Sequence, residues 1–176
     1  MHGDIAAGRP DVRTDSAPVR GREHQDGTGE EPSQDQSGQV SSAPIRVVVA
    51  DDHPFIRAGV AALLSTADGI EVVGQCADGA EAVEVSAAAR PDVVLLDVDM
   101  PVLSGFDATR QLLQAQPDLR VVMLSVSILT HGGPEGAERA GAVGYLIKGD
   151  PRRVIEAVRT VAAGGTVWPA GYPAAD

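Results

Sequence analysis

A chain of 176 residues with a net charge of -11 and one cysteine is long enough for a single well-cored domain with some excess. The acidic balance, with no Lys/Arg cluster, argues against direct DNA binding by this chain, because phosphate backbones reward clustered cations. Cys76 has no partner for an internal disulfide, no apolar run is long enough to span a bilayer and none near Met1 reads as a secretion signal, so a cytoplasmic protein without membrane association is expected.

Residues 1–44 are rich in Gly, Pro, Ser, Gln and acids, with four arginines against eight acids, and read as a disordered N-terminal extension. From Ile45 onward, short apolar runs alternate with amphipathic stretches. Ile45 to Ala50 reads as a first strand. Pro54 opens a helix whose Ile56, Val60, Leu63 and Leu64 form one apolar face. A second strand, about Ile70 to Cys76, leads through Asp78-Gly79 into an Ala-rich helix ending near Arg90. The third strand, Val93 to Asp97, is an unbroken apolar run ending in a carboxylate, the pattern of a parallel strand buried on both faces. A helix from Gly105 to about Gln116 follows, then strands at Leu119 to Ser125 and about Val143 to Lys148. The last helix runs from Pro151 to about Ala163, ended by Gly164-Gly165.

Five strands alternating with helices predict a doubly wound α/β domain, with the flavodoxin-like parallel order 2-1-3-4-5 leading. In that order the first and third strands are neighbours, which brings Asp51 and Asp52 beside Asp97. Three converging carboxylates repel one another unless a cation sits among them, and all-oxygen ligation points to Mg2+. Ser125 and Lys148 end the fourth and fifth strands, so both reach the same edge, where a hydroxyl and an ammonium could hold the oxygens of a phosphoryl group on Asp97.

The segments Val-Val-Val-Ala-Asp-Asp-His-Pro, Leu-Leu-Asp-Val-Asp-Met-Pro-Val-Leu-Ser-Gly, Val-Val-Met-Leu-Ser and Ala-Gly-Ala-Val-Gly-Tyr-Leu-Ile-Lys resemble the receiver domain of bacterial two-component response regulators. The Asp-Asp-His-Pro opening and the Ala-Ala-Gly-Gly-Thr-Val-Trp ending are most similar to the LuxR/NarL type. The resemblance covers about residues 45–168 and leaves 169–176 as a C-terminal tail. It implies that Asp97 accepts a phosphoryl group from a sensor histidine kinase. It further implies that Asp51, Asp52, Asp97 and the backbone carbonyl of Asp99 hold Mg2+, that Lys148 contacts the phosphoryl group, and that Ser125 and Tyr145 switch on phosphorylation. Tyr145 would turn inward as Ser125 moves. The output would pass to a protein partner or a second copy of the chain, and the protein would promote only its own aspartyl phosphorylation and dephosphorylation, without being an enzyme in any wider sense.

The sequence departs from that pattern in three places. Gly132, Gly133, Pro134 and Gly136 disfavour a helix interior, which predicts a fourth helix shortened to about Pro134 to Ala140, preceded by a mobile loop. The helix-turn-helix domain usual in LuxR/NarL-type regulators does not follow within Met1 to Asp176, so either a stand-alone receiver or a truncated regulator is expected. Gly149 replaces a more familiar acid or proline. His53 is expected as a helix-start residue, because no second histidine stands at ligand spacing, and His131 as an exposed loop residue. Two alternatives remain: a receiver-like adaptor that works without phosphorylation, and a haloacid-dehalogenase-type phosphatase using Asp97-Val98-Asp99.

Overall fold

The computed structural model describes residues 43–129 and 132–173. The expected N-terminal extension therefore lies almost wholly outside the described residues, as do His131 and the last three residues of the expected tail. Five parallel strands, β1 (Ile45–Ala50), β2 (Ile70–Cys76), β3 (Val93–Asp97), β4 (Arg120–Ser125) and β5 (Gly144–Ile147), form one sheet in the order β2-β1-β3-β4-β5. The helices between and after them are α1 (Pro54–Ser65), α2 (Gly79–Ala89), α3 (Gly105–Ala115), α4 (Gly133–Ala140) and α5 (Pro151–Ala162). This is the flavodoxin-like arrangement, and α4 is as short as its glycines foretell.

The sheet is hydrophobic on both faces because helices cover both. Val47, Val49, Val93, Leu95, Val122 and Leu124 pack with Leu64 of α1 and with Ala157, Val158 and Val161 of α5. Their alternates Val48, Ala50, Val94, Leu96, Val121 and Met123 face Ala82 of α2, Ala108 and Leu112 of α3, and Ala137 and Ala140 of α4. Every residue of β3 is buried, so the central strand anchors both cores. One sequence expectation is only half met. Of the α1 face, Leu64 is buried and Val60 packs against the same core, whereas Ile56 and Leu63 line, together with Val60, a groove of about 400 Å3 with Leu124, Ile147 and Val154. The helix packs on the sheet through Ala61 and Leu64 and leaves an apolar cleft towards α5 along Ile56 to Leu63.

Local chemistry fixes the helix starts. Asp78 accepts the Glu81 N–H at 2.9 Å while the Glu81 carboxylate takes the Ala77 N–H at 2.6 Å, the reciprocal exchange that stabilises a first turn. Ser104 caps α3 by accepting the Asp107 N–H, and Asp150 caps α5 by accepting the Arg152 N–H. In α4 the glycines allow close approach: a Cβ at Gly132 or Gly136 would stand 3.0 Å from the Phe106 ring of α3. Gly105 is still more constrained, since a Cβ there would overlap the Asp97 carbonyl oxygen and press on Val98 Cα at 3.0 Å. Gly105→Ala is therefore expected to destabilise the fold by about 1–3 kcal/mol, the range for overpacking a tight interior. Urea denaturation monitored by circular dichroism measures this directly.

The segment after α5 turns back onto the sheet. Val167 makes a parallel bridge with Gly144, its carbonyl accepting the Tyr145 N–H at 2.8 Å and its N–H donating to Val143 at 3.1 Å. Trp168 then packs against the α4-side core, its ring 5.2 Å from that of Tyr172, and the Tyr172 hydroxyl donates to Glu138 of α4 at 2.6 Å. That bond pushes the Tyr172 phenol up to about 12. Within residues 169–173, expected as a tail, Tyr172 is thus bonded to α4.

Candidate functional site

Parallel strands deliver their last residues to one edge of the sheet, and in this topology the loops after β1, β3, β4 and β5 open there. Asp51 directly follows β1, Asp97 ends β3, Ser125 ends β4 and Lys148 directly follows β5. Asp51, Asp97 and Ser125 are buried, each at most 4% exposed. Burying two carboxylates demands a counter-charge. Lys148 supplies it, its Nζ lying 2.7 Å from Asp51 Oδ2 and 3.0 Å from Asp97 Oδ1. Its own N–H is fixed on the Ser125 carbonyl at 2.7 Å.

The electrostatics follow from that geometry. Burial pushes the Asp97 carboxyl above its ordinary range, the bond to Lys148 opposes the rise, and the charges of Asp51 and Asp52 add to it. For Lys148, burial acts to lower the ammonium, but its bonds to Asp51 and Asp97 outweigh burial and leave it raised. The lysine therefore remains charged.

Donor atoms from Asp51, Asp52, His53 and Asp97 all lie within 4.8 Å of one another. Three carboxylates against one ammonium leave net negative charge, and carboxylate oxygens are the donors a hard divalent cation takes. The residues therefore fit Mg2+. Asp99 lies in the loop after β3 with its side chain exposed.

Ser125 and Tyr145 are joined through a residue that sequence reasoning passed over. The Ser125 hydroxyl donates to the Ser127 carbonyl at 3.0 Å, and the Tyr145 hydroxyl donates to the same oxygen at 2.8 Å. Tyr145 is completely buried, so its ring stands inward. The only signal for Ser127 in the sequence is a second serine two positions beyond a strand end, a common turn pattern.

Beside Asp97 the chain also holds a strained turn. The Leu103 N–H donates to the Pro101 carbonyl at 2.7 Å across Val102, whose φ is +68°. A β-branched residue rarely adopts this conformation, and Val102 is 84% exposed, so no packing compensates it. Relief of a left-handed cost of about 1–2 kcal/mol, less the extra unfolded-state freedom of glycine, predicts that Val102→Gly gains roughly 0.5–1 kcal/mol. A higher melting temperature than the parent is the expected result.

Fold and site together define a signalling domain: a doubly wound sheet that presents an acidic, cation-ready pocket with a lysine and a hydroxyl at its rim. The chain belongs to the response regulator receiver domain family, which it matches over residues 47–159. It is 42% identical over 121 residues to the response regulator GacA of Pseudomonas viridiflava, covering 68% of this chain and 56% of that protein. It is likewise 42% identical over 132 residues to the transcriptional regulatory protein DegU of Brevibacillus brevis, covering 72% and 54%. The chain thus spans about half the length of the curated relatives it matches. Among solved structures, the signal receiver domain of the response regulator NarL from Mycobacterium tuberculosis superimposes with a TM-score of 0.66 at 35% identity, over 70% of this chain and 99% of that one. A LuxR-family two-component response regulator from Aurantimonas sp. SI85-9A1 gives 0.66 at 29% identity, over 71% and 89%. Among the described residues, no helix is long and apolar enough to cross a membrane.

Proposed function

We propose that this chain is a phosphoacceptor receiver in which Asp97 takes a phosphoryl group from the phosphohistidine of a sensor kinase. The carrying observation is the Lys148 ammonium held between Asp51 and Asp97 at 2.7 and 3.0 Å, which places a cation at the point where new phosphoryl oxygens would gather. A carboxylate oxygen of Asp97 forms the new P–O bond as the donor's P–N bond breaks, leaving an acyl phosphate. Asp51, Asp52, Asp97 and the backbone carbonyl of Asp99 would hold Mg2+. When bound, Mg2+ would screen the aspartate charges and the incoming phosphoryl oxygens.

The residues of the chain carry the rest. Lys148 would turn part of its bonding from Asp97 to a phosphoryl oxygen, and Ser125 would exchange the Ser127 carbonyl for another. Because Tyr145 shares that carbonyl, the loop after β4 would move against the β5 edge and pass the change to a protein partner or a second copy. Phe55, Val102, Val126 and Leu129 are exposed in or beside the loops at the same sheet edge and would give a docking kinase apolar contact. The receiver unit would comprise residues 45–168, between an N-terminal extension and a short C-terminal tail, and would act in the cytoplasm without contacting DNA itself.

One observation favours a second reading, a phosphorylation-independent adaptor: α4 is cut to the eight residues Gly133–Ala140. Treatment with acetyl phosphate and Mg2+ separates the two. Gain of one phosphoryl group by intact mass, mapped to the peptide containing Asp97, is the receiver's expected result, and no mass gain leaves the adaptor.

A further inference from the structure

Residue His53 occupies the N-cap position of α1, where a side chain ordinarily bonds a free N–H of the first turn. It makes no such bond. Its backbone N–H is taken by Asp51 Oδ1 at 2.9 Å, and its ring turns back over the acidic pocket, Nδ1 lying 2.7 Å from Asp52 Oδ1 and 3.7 Å from Asp51 Oδ1. Asp97 from β3 belongs to the same cluster, its ligand atom within 4.8 Å of those of Asp51, Asp52 and His53. Sequence spacing offers no second histidine, but the fold supplies three carboxylates in its place.

We propose that His53 Nδ1 is a nitrogen ligand of the pocket's divalent cation, so that the site accepts first-row transition ions more readily than an all-oxygen site would. The inference rests on the cation site of the receiver reading and names an additional donor to it. His53 Nδ1 is hydrogen-bonded to Asp52 Oδ1 at 2.7 Å, and since neighbouring donors on an octahedral ion with bonds of about 2.1 Å stand about 3 Å apart, an ion could replace that bond with little movement of either group. Imidazole nitrogen suits Mn2+ and later ions better than it suits Mg2+, which retains water and oxygen. The ring is 67% exposed, so it can settle on an ion without disturbing the core, and its removal leaves the fold intact.

The test uses the full chain with Mn2+ as the probe. Pulsed electron paramagnetic resonance of the Mn2+ complex should show a 14N coupling that His53→Ala lacks. Titrations with Mg2+ and Mn2+ should show the Mn2+ preference falling by about tenfold in His53→Ala, the scale on which losing a metal-supporting group is felt. Identical spectra and an unchanged Mn2+ to Mg2+ ratio would overturn the proposal while leaving the receiver's cation site standing. Equal tightening of both ions in His53→Ala would overturn it too, showing the ring to be only a partner of Asp52. Failure of the parent protein to bind either ion would remove both the proposal and the cation site it rests on.

Discussion

Asp97→Asn is expected to take up no phosphoryl group from acetyl phosphate and Mg2+, and at neutral pH to melt above the parent protein. The first outcome would follow from removing the oxygen proposed to attack phosphorus, and phosphoprotein mobility shift or intact mass would read it as a fall to background. The second follows from linkage. The folded-state pKa of Asp97 is raised from 3.8, chiefly by burial, so the native chain binds that proton more tightly than the unfolded one. Stability contributed by this group therefore declines as pH rises from 3.8 through the raised value, and the cost is fully present above it. An amide of the same shape has no such charge to bury. The melting advantage of Asp97→Asn should shrink as pH is lowered toward 3.8. An advantage that grew in acid would contradict the burial account.

Lys148→Met has the opposite sign and a larger magnitude. It leaves Asp51 and Asp97, both buried, without the ammonium that lies within 3.0 Å of each. Stranding a buried charge by removing its partner costs about 3–5 kcal/mol, and water at the open rim, where Lys148 is 12% exposed, places the expected loss near the lower end. Millimolar Mg2+ should recover part of it by replacing the missing positive charge. Because the folded-state pKa of Lys148 is raised above 10.5, its contribution is fully present below 10.5 and is lost as pH climbs through the raised value. The gap between parent and variant should therefore be widest near neutrality and close in strong alkali. Guanidinium denaturation with and without Mg2+, across pH, tests all three statements.

Strands were legible because apolar runs such as Val93 to Leu96 admit little else when Gly and Pro bound them, and β3 is indeed buried at every position. Once the strand order was inferred, Asp51, Asp97, Ser125 and Lys148 had to meet, since each sits at the end of a strand opening on one edge. Contacts that depend on a side chain's direction were not legible. His53 reads as a helix start, and that is its backbone role. Where its ring points depends on carboxylates that the sequence does not orient. Ser127 acts through its carbonyl, which no residue identity reveals. The glycines of α4 read as helix breakers, whereas their close approach to Phe106 exists only after α3 and α4 have packed. The apolar face of α1 was read correctly as a stripe, but a stripe does not say how closely α5 will lie against it.

Tyr145 is fastened at two points, its hydroxyl on the Ser127 carbonyl and its amide on the carbonyl of Val167. In mechanical terms it is a rigid link in series between the loop beside Asp97 and the chain that leaves α5. A displacement at Ser127, were phosphorylation to cause one, would then be felt at Val167 through the backbone of β5. The same pull would extend to α4, because Tyr172 is anchored on Glu138 a few residues further along. A message written at Asp97 would in this way be delivered as tension along the main chain.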